Sequence, residues 1–492
     1  MSSPWNRRDA EVVVNHVSLG DALRWAMPGI IFAACRVGVK ASWKAGMLAF
    51  AAVLWAWSDE QTLGKRFLTA RKLVIKMFRW QDEPGTSYQG FIKALQKWKE
   101  RLFAVILPQL RELMRQSAGD CWTVAGWVLF GVDGSRVETP RTKANEGRFH
   151  PTKKRKRQKR ARKGKAPQLT KKASRRAKQA TKRKPVAKKQ AGKNSKKQLA
   201  GPQIWLTLFW HVGLGLPWAW KTGPVDSSER AHMLEMLGIL PENSMIVADA
   251  GFVGYDNWRA IKDAGHSFVI RVGANVKLLK KLGYARESAG RVYLWPDKAR
   301  KKSQPPLVLR LITVHNGKHP IYLVTNVLSK KELSDRAAAE IYKSRWGIEV
   351  FFRSFKQTFD RRKLRSTSPD NALLELDWSL VGLWVVYLMA VANLIKQGES
   401  PHRVSVAGAL DAVRTVMRDY RWRPEPGKDL WSLLSQALID TYVRHGSKAA
   451  RNYPRKKNEK PARKPLILSA SREQVTFTKE LKASQQEKRL TA

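Results

Sequence analysis

A continuous basic segment between residues 151 and 200 most limits how this chain can fold. These positions hold 23 Lys and Arg residues, no Asp or Glu, and hardly any large apolar side chain. Such a segment cannot bury enough apolar surface to offset the entropy lost on ordering, so we predict a disordered basic insertion. Its role is either a nonspecific electrostatic grip on DNA or that of a solvated, expendable insertion.

The excess of positive charge is not confined to that segment. The 492 residues contain 93 Lys and Arg against 40 Asp and Glu, a formal net charge of +53. Removing the insertion leaves the remainder strongly basic, which indicates a polyanionic partner, most often nucleic acid. Structural basic proteins share this property, so charge alone does not identify an enzyme.

Composition also restricts the cellular setting. Cys35 and Cys121 are the only cysteines, which argues against a disulfide framework and fits a reducing compartment. The apolar stretch 45–58 is too short to span a membrane, and the longer stretch 378–395 is interrupted by polar residues. We therefore predict a buried helix there, no membrane partner, and a cytoplasmic, nucleoid-associated protein.

The spacing of apolar residues divides the chain into regions. Residues 1–118 have helical spacing and predict either a helical domain that presents one helix to a DNA groove or an ordinary helical bundle. Residues 119–400 predict a mixed α/β region that contains the basic insertion and a β-rich insertion at 266–328. A helical region at 401–445 and a basic, partly disordered tail at 446–492 complete the prediction.

Three carboxylates are the candidate catalytic groups. Asp133 and Asp249 each close an apolar β-branched run, so they meet if the two strands are neighbours. Glu349 lies on a helix predicted from Asp335 to Phe359, opposite a stripe of phenylalanine and isoleucine. Each has an ordinary alternative: the aspartates as turn or cap residues, and Glu349 as an ion-pair partner of Arg345 four residues earlier.

Converging carboxylates repel one another unless cations hold them. Two Mg²⁺ ions, with Mn²⁺ able to substitute, would supply that compensation and catalyse phosphoryl transfer. Nothing in the sequence selects zinc, because the nine histidines lack metal-ligand spacing.

The helix sequence IYKSRWGIEVFFRSFK then gives a resemblance to a known family. Its spacing resembles the tyrosine–arginine–glutamate–lysine signature of the DDE transposases of bacterial insertion sequences, in the IS-four class, carried here by Tyr342, Arg345, Glu349 and Lys356. The segments VDGSRVETPRTKANE and VADAGFVGYDNW are similar to the two aspartate regions of that family. The resemblance covers about residues 60–396, and the basic insertion departs from it.

The resemblance implies a ribonuclease-H-like catalytic core with a β-rich insertion, plus an N-terminal all-helical domain that binds the element's terminal repeats. It implies that Asp133, Asp249 and Glu349 form a catalytic, metal-binding triad. It further implies a homodimer on DNA, with DNA contacts from Tyr342, Arg345, Trp346, Lys356 and, stacking on a displaced base, Trp295.

The expected function is therefore a transposase that cleaves insertion-sequence ends and joins the 3′-hydroxyl ends to target DNA. Two alternatives stay open at this point. One is a DNA-binding protein without catalysis, such as an inactive or domesticated relative. The other is a ribonuclease-H-like nuclease that hydrolyses DNA without joining it.

Overall fold

The computed structural model describes residues 18–36, 41–78, 83–150, 201–316, 319–439 and 463–490. The basic insertion at 151–200, and with it the prediction of disorder, lies outside these residues. The first part of the predicted basic tail, at 446–462, lies outside them as well.

The N-terminal part is helical, as the apolar spacing predicted. Ser18, Thr62 and Ser87 each begin a helix and accept a hydrogen bond from a backbone N–H of its first turn, which satisfies donors that the helix leaves unpaired. The second helix is buried along almost its whole length. The helices are α1 (Leu19–Ala26), α2 (Ala45–Trp57), α3 (Leu63–Met77) and α4 (Tyr88–Ser117).

Within the described ranges, the named strands belong to one ten-stranded sheet. Its central strands are β1 (Val128–Glu138), β2 (Gln203–His211), β3 (Leu216–Pro224), β4 (Ser244–Ala248) and β5 (Ser267–Val272). They lie in the order β3-β2-β1-β4-β5; the first three are antiparallel, and β4 and β5 run parallel to β1. All five residues of β4 are buried, as expected for a parallel strand covered on both faces. The connecting helices are α5 (Lys143–Phe149), α6 (Glu229–Met236) and α7 (Tyr255–Asp263).

The β-rich insertion continues this sheet instead of forming a separate layer. Beyond β5 the order is β9, β8, β7, β6, and the pairs among these strands are antiparallel. Although β5 lies within the predicted range 266–328, it pairs in parallel with β4 and belongs to the central strands. The domain boundaries remain predictions. The added elements are β6 (Lys277–Lys280), β7 (Arg291–Leu294), α8 (Asp297–Arg300), β8 (Leu307–Asn316) and β9 (His319–Thr325).

Helices follow the insertion: α9 (Asp335–Ser344), α10 (Trp346–Arg353), α11 (Pro369–Lys396), α12 (Val406–Arg418) and α13 (Leu430–Ser435). Of these, α11 is long and apolar enough to cross a membrane, but 78% of its apolar window is buried inside the structure. It packs against α2 and α4. Trp57 Nε1 donates a hydrogen bond of 2.7 Å to the carbonyl of Gly382, where the missing side chain lets α2 approach. The prediction of a buried helix is confirmed.

Part of the predicted basic tail forms secondary structure, β10 (Leu466–Ser469) and α14 (Arg472–Leu490). Strand β10 pairs in parallel with β6, and Lys482 Nζ donates to the carbonyl of Gly283 at 2.8 Å. The ring of Phe477 packs against Trp295, with 5.7 Å between ring centroids. Because these partners lie far away in sequence, the polar local composition did not predict the two elements.

Candidate active site

Asp133 lies within β1, and Asp249 directly follows the neighbouring parallel strand β4. The β1–β4 register runs up to the pair of Gly131 and Val247, two residues before each aspartate. Asp249 follows the last residue of β4, as predicted. The sequence had suggested that Asp133 ends its strand, and this is wrong. Pairing with β2 extends β1 as far as Glu138, so Asp133 lies inside the strand.

Each aspartate accepts one backbone hydrogen bond from a glycine that follows it. Asp133 Oδ1 accepts from the N–H of Gly134 at 2.8 Å, and Asp249 Oδ1 accepts from that of Gly251 at 2.7 Å. Burial raises the pKa of Asp133 to about 6; the Gly134 N–H opposes the shift, and the charge of Asp249 adds to it. Ionisation of Asp133 is therefore costly, and a nearby cation would relieve that cost.

Glu349 comes from helix α10. The single helix predicted between residues 335 and 359 is interrupted: α9 ends at Ser344, Arg345 forms a junction, and a π-helical turn at Ser354–Thr358 follows α10. A regular 100° wheel is therefore only approximate here. The core stripe that it identified is nonetheless buried, at Ile341, Ile348, Phe351, Phe352, Phe355 and Phe359.

A glycine lets α10 lie close to the sheet. A Cβ atom at Gly347 would stand 2.0 Å from the ring atom Cη2 of Trp210, which lies on β2. The ring therefore occupies the space of the missing side chain, and α10 packs over β1. This packing holds Glu349 above the strand that carries Asp133.

Arg345 connects the acidic residues electrostatically. Its Nη2 donates to Glu349 Oε1 at 3.0 Å, the i,i+4 pair that the sequence allowed. Its charge also lowers the pKa of Asp133. The side chain is 13% exposed, and its Nε atom is buried without a hydrogen-bond partner in the described part of the chain. A phosphate oxygen would satisfy this donor.

Three further residues of the motif lie around this group. The guanidinium of Arg345 sits over the ring of Tyr342, 5.8 Å from its centroid. Lys356 Nζ donates to Ser135 Oγ at 2.7 Å, two residues beyond Asp133 on β1. Trp346 is 61% exposed, which leaves its indole accessible. The DNA contacts of these side chains remain predictions.

Trp295 is placed differently from the other predicted DNA-binding residues. It is 5% exposed, donates through Nε1 to the carbonyl of Gln304 at 2.8 Å, and packs against Phe477. Stacking on a displaced base, which stays a prediction, would require this side chain to be uncovered.

A fourth carboxylate, that of Glu229, lies beside the two aspartates and was not identified from the sequence. Burial, followed by the negative charges of Asp133 and Asp249, raises the pKa of Glu229 to about 7. An acidic residue in the first turn of a helix is ordinarily explained by the helix dipole. The segment SSERAHM therefore carried no local signal, and only the packing of α6 against β1 reveals the residue.

The donor chemistry fits a hard divalent cation. All four candidate ligands are carboxylates, the groups that Mg²⁺ and Mn²⁺ prefer. Within the described ranges, no three acidic, histidine or cysteine side chains are already close enough to hold one ion. Glu349 is paired with Arg345 instead. Cation binding would therefore require side-chain rotation around Asp133 and Asp249.

The fold and site define a mixed α/β protein whose acidic group is flanked by arginine and lysine side chains. The sequence profile described as the transposase DDE domain matches residues 128–383, just over half of the chain. The chain belongs to this family of DDE transposases, and the resemblance based on the Tyr342–Lys356 motif is confirmed.

Two relatives give the range of similarity. The transposase InsG for insertion sequence element IS4 of Escherichia coli (strain K12) is 23% identical over 262 residues, covering 51% of this chain and 58% of the relative. The chain thus matches less than two thirds of that protein's length. The cryo-EM structure of the piggyBac transposase synaptic complex with hairpin DNA has a TM-score of 0.39 and 10% identity, covering 88% of this chain and 87% of that one. A TM-score this low adds no argument about the fold.

Proposed function

We propose that the chain cleaves the ends of an insertion sequence and joins the freed 3′-hydroxyl ends to target DNA. The proposal is supported chiefly by the β1–β4 register, which ends two residues before both Asp133 and Asp249, together with the packing of the Glu349 helix against β1. The strand order β3-β2-β1-β4-β5, antiparallel and then parallel, also supports a ribonuclease-H-like core. Family membership makes DNA the substrate class.

Asp133, Asp249 and Glu349 would hold two divalent cations, Mg²⁺ in the cell with Mn²⁺ as a substitute. When bound, the cations would activate the attacking water or 3′-hydroxyl and stabilise the leaving 3′ oxygen. Holding them requires Glu349 to leave its pair with Arg345. The freed guanidinium would then turn to a DNA phosphate, for which its geometry is suited.

The remaining contacts follow from exposure and charge. Trp346 would stack on a base near the cut, and Lys356 would neutralise a phosphate beside β1. The N-terminal helices would bind the terminal repeats, and the protein would act as a homodimer on DNA in the cytoplasm, associated with the nucleoid.

The test uses duplexes that carry the terminal repeats flanking the coding region, incubated with Mg²⁺ and analysed for cut and joined strands. Asp249→Ala and Glu349→Gln should each abolish both products while leaving DNA binding intact. Arg345→Ala should weaken end processing more than folding. Matched controls are Asp263→Ala, Glu340→Gln and Arg353→Ala, which change exposed residues of the same three types on α7, α9 and α10.

Each outcome separates the candidate functions. Wild-type levels of cutting and joining by Asp249→Ala or Glu349→Gln would overturn the site assignment. Cutting without joined product would indicate a nuclease that only hydrolyses. DNA binding without any cleavage of repeat-containing DNA would favour a noncatalytic DNA-binding protein.

A further inference from the structure

Glu229 stands at a position where two glycines leave room for its carboxylate. A Cβ atom at Gly134 would lie 2.6 Å from Glu229 Oε1, and a Cβ atom at Gly251 would lie 3.8 Å from Oε2. These are the glycines whose N–H groups bind the carboxylates of Asp133 and Asp249. The Glu229 carboxylate therefore occupies space beside both aspartate loops that any larger residue at Gly134 would fill.

This carboxylate has no partner in the described part of the chain. Among the residues that the structure describes, no backbone or side-chain group donates a hydrogen bond to it, and no cation lies within ion-pair distance. Two arginines, Arg230 and Arg136, act on this carboxylate through their charges, but each contacts another group. Arg230 donates to the carbonyl of Gly251 at 2.7 Å, and Arg136 lies over the ring of Trp205, 5.1 Å from its centroid.

An ordinary explanation exists for an acidic residue here. Glu229 is the first residue of α6, and a negative charge at a helix N-terminus contributes about 0.3–1 kcal/mol. That effect needs only an exposed side chain near the first turn. It does not explain a half-buried, unpaired carboxylate directed toward two other acids, an arrangement that is costly unless a cation is present.

We propose that Glu229 is a fourth carboxylate ligand of the divalent cation held by Asp133 and Asp249. The inference rests on the proposed function, since it requires that the two aspartates bind a metal ion. Glu349 comes from a different element, helix α10, so Glu229 would add a ligand to the site from α6.

The test measures Mn²⁺ binding to the full chain without DNA, by the loss of the free-Mn²⁺ electron paramagnetic resonance signal and by calorimetric titration. Glu229→Gln keeps the shape of the side chain and removes its charge. It should weaken Mn²⁺ affinity by about 10-fold or more, the size expected for a group that supports a metal site. Glu235→Gln, on the same helix and exposed, should bind Mn²⁺ like the wild type.

Asp249→Asn, titrated in parallel, separates the two hypotheses. Weaker binding by both Asp249→Asn and Glu229→Gln supports the inference. Weaker binding by Asp249→Asn alone overturns the role of Glu229 and leaves the proposed function standing. Unchanged binding by Asp249→Asn overturns the shared site, whatever Glu229→Gln does. Circular dichroism and thermal unfolding of each variant check that the overall fold is retained, and Glu229→Asp provides a second, charge-retaining variant whose affinity should exceed that of Glu229→Gln.

Discussion

Two groups of carboxylates in this molecule differ in how they are partnered. On α11, Glu375 and Asp377 are 1% and 4% exposed. Glu375 accepts hydrogen bonds from the N–H groups of Arg365 and Ser366 and from the Ser366 hydroxyl, at 2.7–3.1 Å. Asp377 pairs with Lys99 at 2.6 Å and accepts from the indole of Trp220 at 2.8 Å.

The acids at the edge of β1 and β4 are less buried but have fewer partners. Asp133 and Asp249 each accept one backbone hydrogen bond, and Glu229 accepts none within the described residues. A buried acid whose oxygens are all paired fixes structure, here the contacts of α11 with α4, β3 and the loop before it. Acids that are costly to ionise and lack partners are candidates for ligand binding. The number of partners, more than the degree of burial, thus distinguishes the structural acids on α11 from the acids of the proposed site.

The largest expected effect comes from Asp133→Asn, an isosteric change in the underpaired group, that is, Asp133, Asp249 and Glu229, which have few hydrogen-bond partners. We expect cleavage of repeat-containing DNA to fall by about 10³-fold or more, since one group that supports charge development contributes on that order. The amide oxygen can still accept from the Gly134 N–H, so metal-free stability in urea should be unchanged or higher. A clear loss of stability would mean that Asp133 is a structural acid like those on α11.

The matching change in the paired group is Glu375→Gln. An amide keeps a single oxygen acceptor, and its NH2 group would face the backbone N–H of Arg365, which now contacts both Oε1 and Oε2. At least one buried donor is then left without a full acceptor, at a cost of about 1–3 kcal/mol, and we expect the free energy of unfolding to drop by that amount in urea titrations. Cleavage per folded molecule should stay close to the wild-type value; a selective loss of cleavage would erase the distinction between the two groups.

Helix α10 carries Glu349 and packs against the sheet, and Gly347→Ala tests whether this packing sets the position of Glu349. The added methyl group would meet the ring of Trp210 and push the helix outward. We expect a loss of about 1–3 kcal/mol in stability and, if Glu349 moves by about 1 Å, up to about 10²-fold in cleavage. The control is Gly238→Ala, which has open space around it. Equal behaviour of the two variants would show that the position of α10 is not set by this contact.

Local signals in the sequence predicted much of this arrangement. The phenylalanine stripe of the motif is buried, and Asp249 follows a short buried strand. Each of these depends on neighbours a few residues away. The buried character of α11 was also predictable from its length and its polar interruptions.

What the sequence did not predict depends on contacts between distant segments. Asp133 lies inside its strand only because β2, beyond the basic insertion, extends the pairing. Glu229 joins the acidic group through the placement of α6, and Trp295 is covered by a C-terminal helix that has no strong apolar pattern. The π-helical turn before Phe359 is likewise invisible to a regular wheel. Contacts between distant segments, not local propensity, determined the placement of Asp133, Glu229 and Trp295.

The smallest expected effect is a pH dependence of cation stabilisation. The pKa of Asp133 is raised from 3.8 to about 6 and that of Glu229 from 4.5 to about 7. Between the ordinary and the raised pKa of each acid, the folded protein therefore holds more protons than the unfolded chain. Metal-free stability should therefore fall as pH rises through this interval, and Mg²⁺, which binds the deprotonated carboxylates, should stabilise more at its upper end. We expect Mg²⁺ to raise Tm by about 2 °C more at about pH 7.5 than at about pH 5.5 in scanning calorimetry.

The Asp133→Asn, Glu229→Gln double variant should lose this difference, whereas Glu235→Gln should keep it. If the double variant kept it, the paired and underpaired acids would respond to cations alike, and partner count would not identify the site.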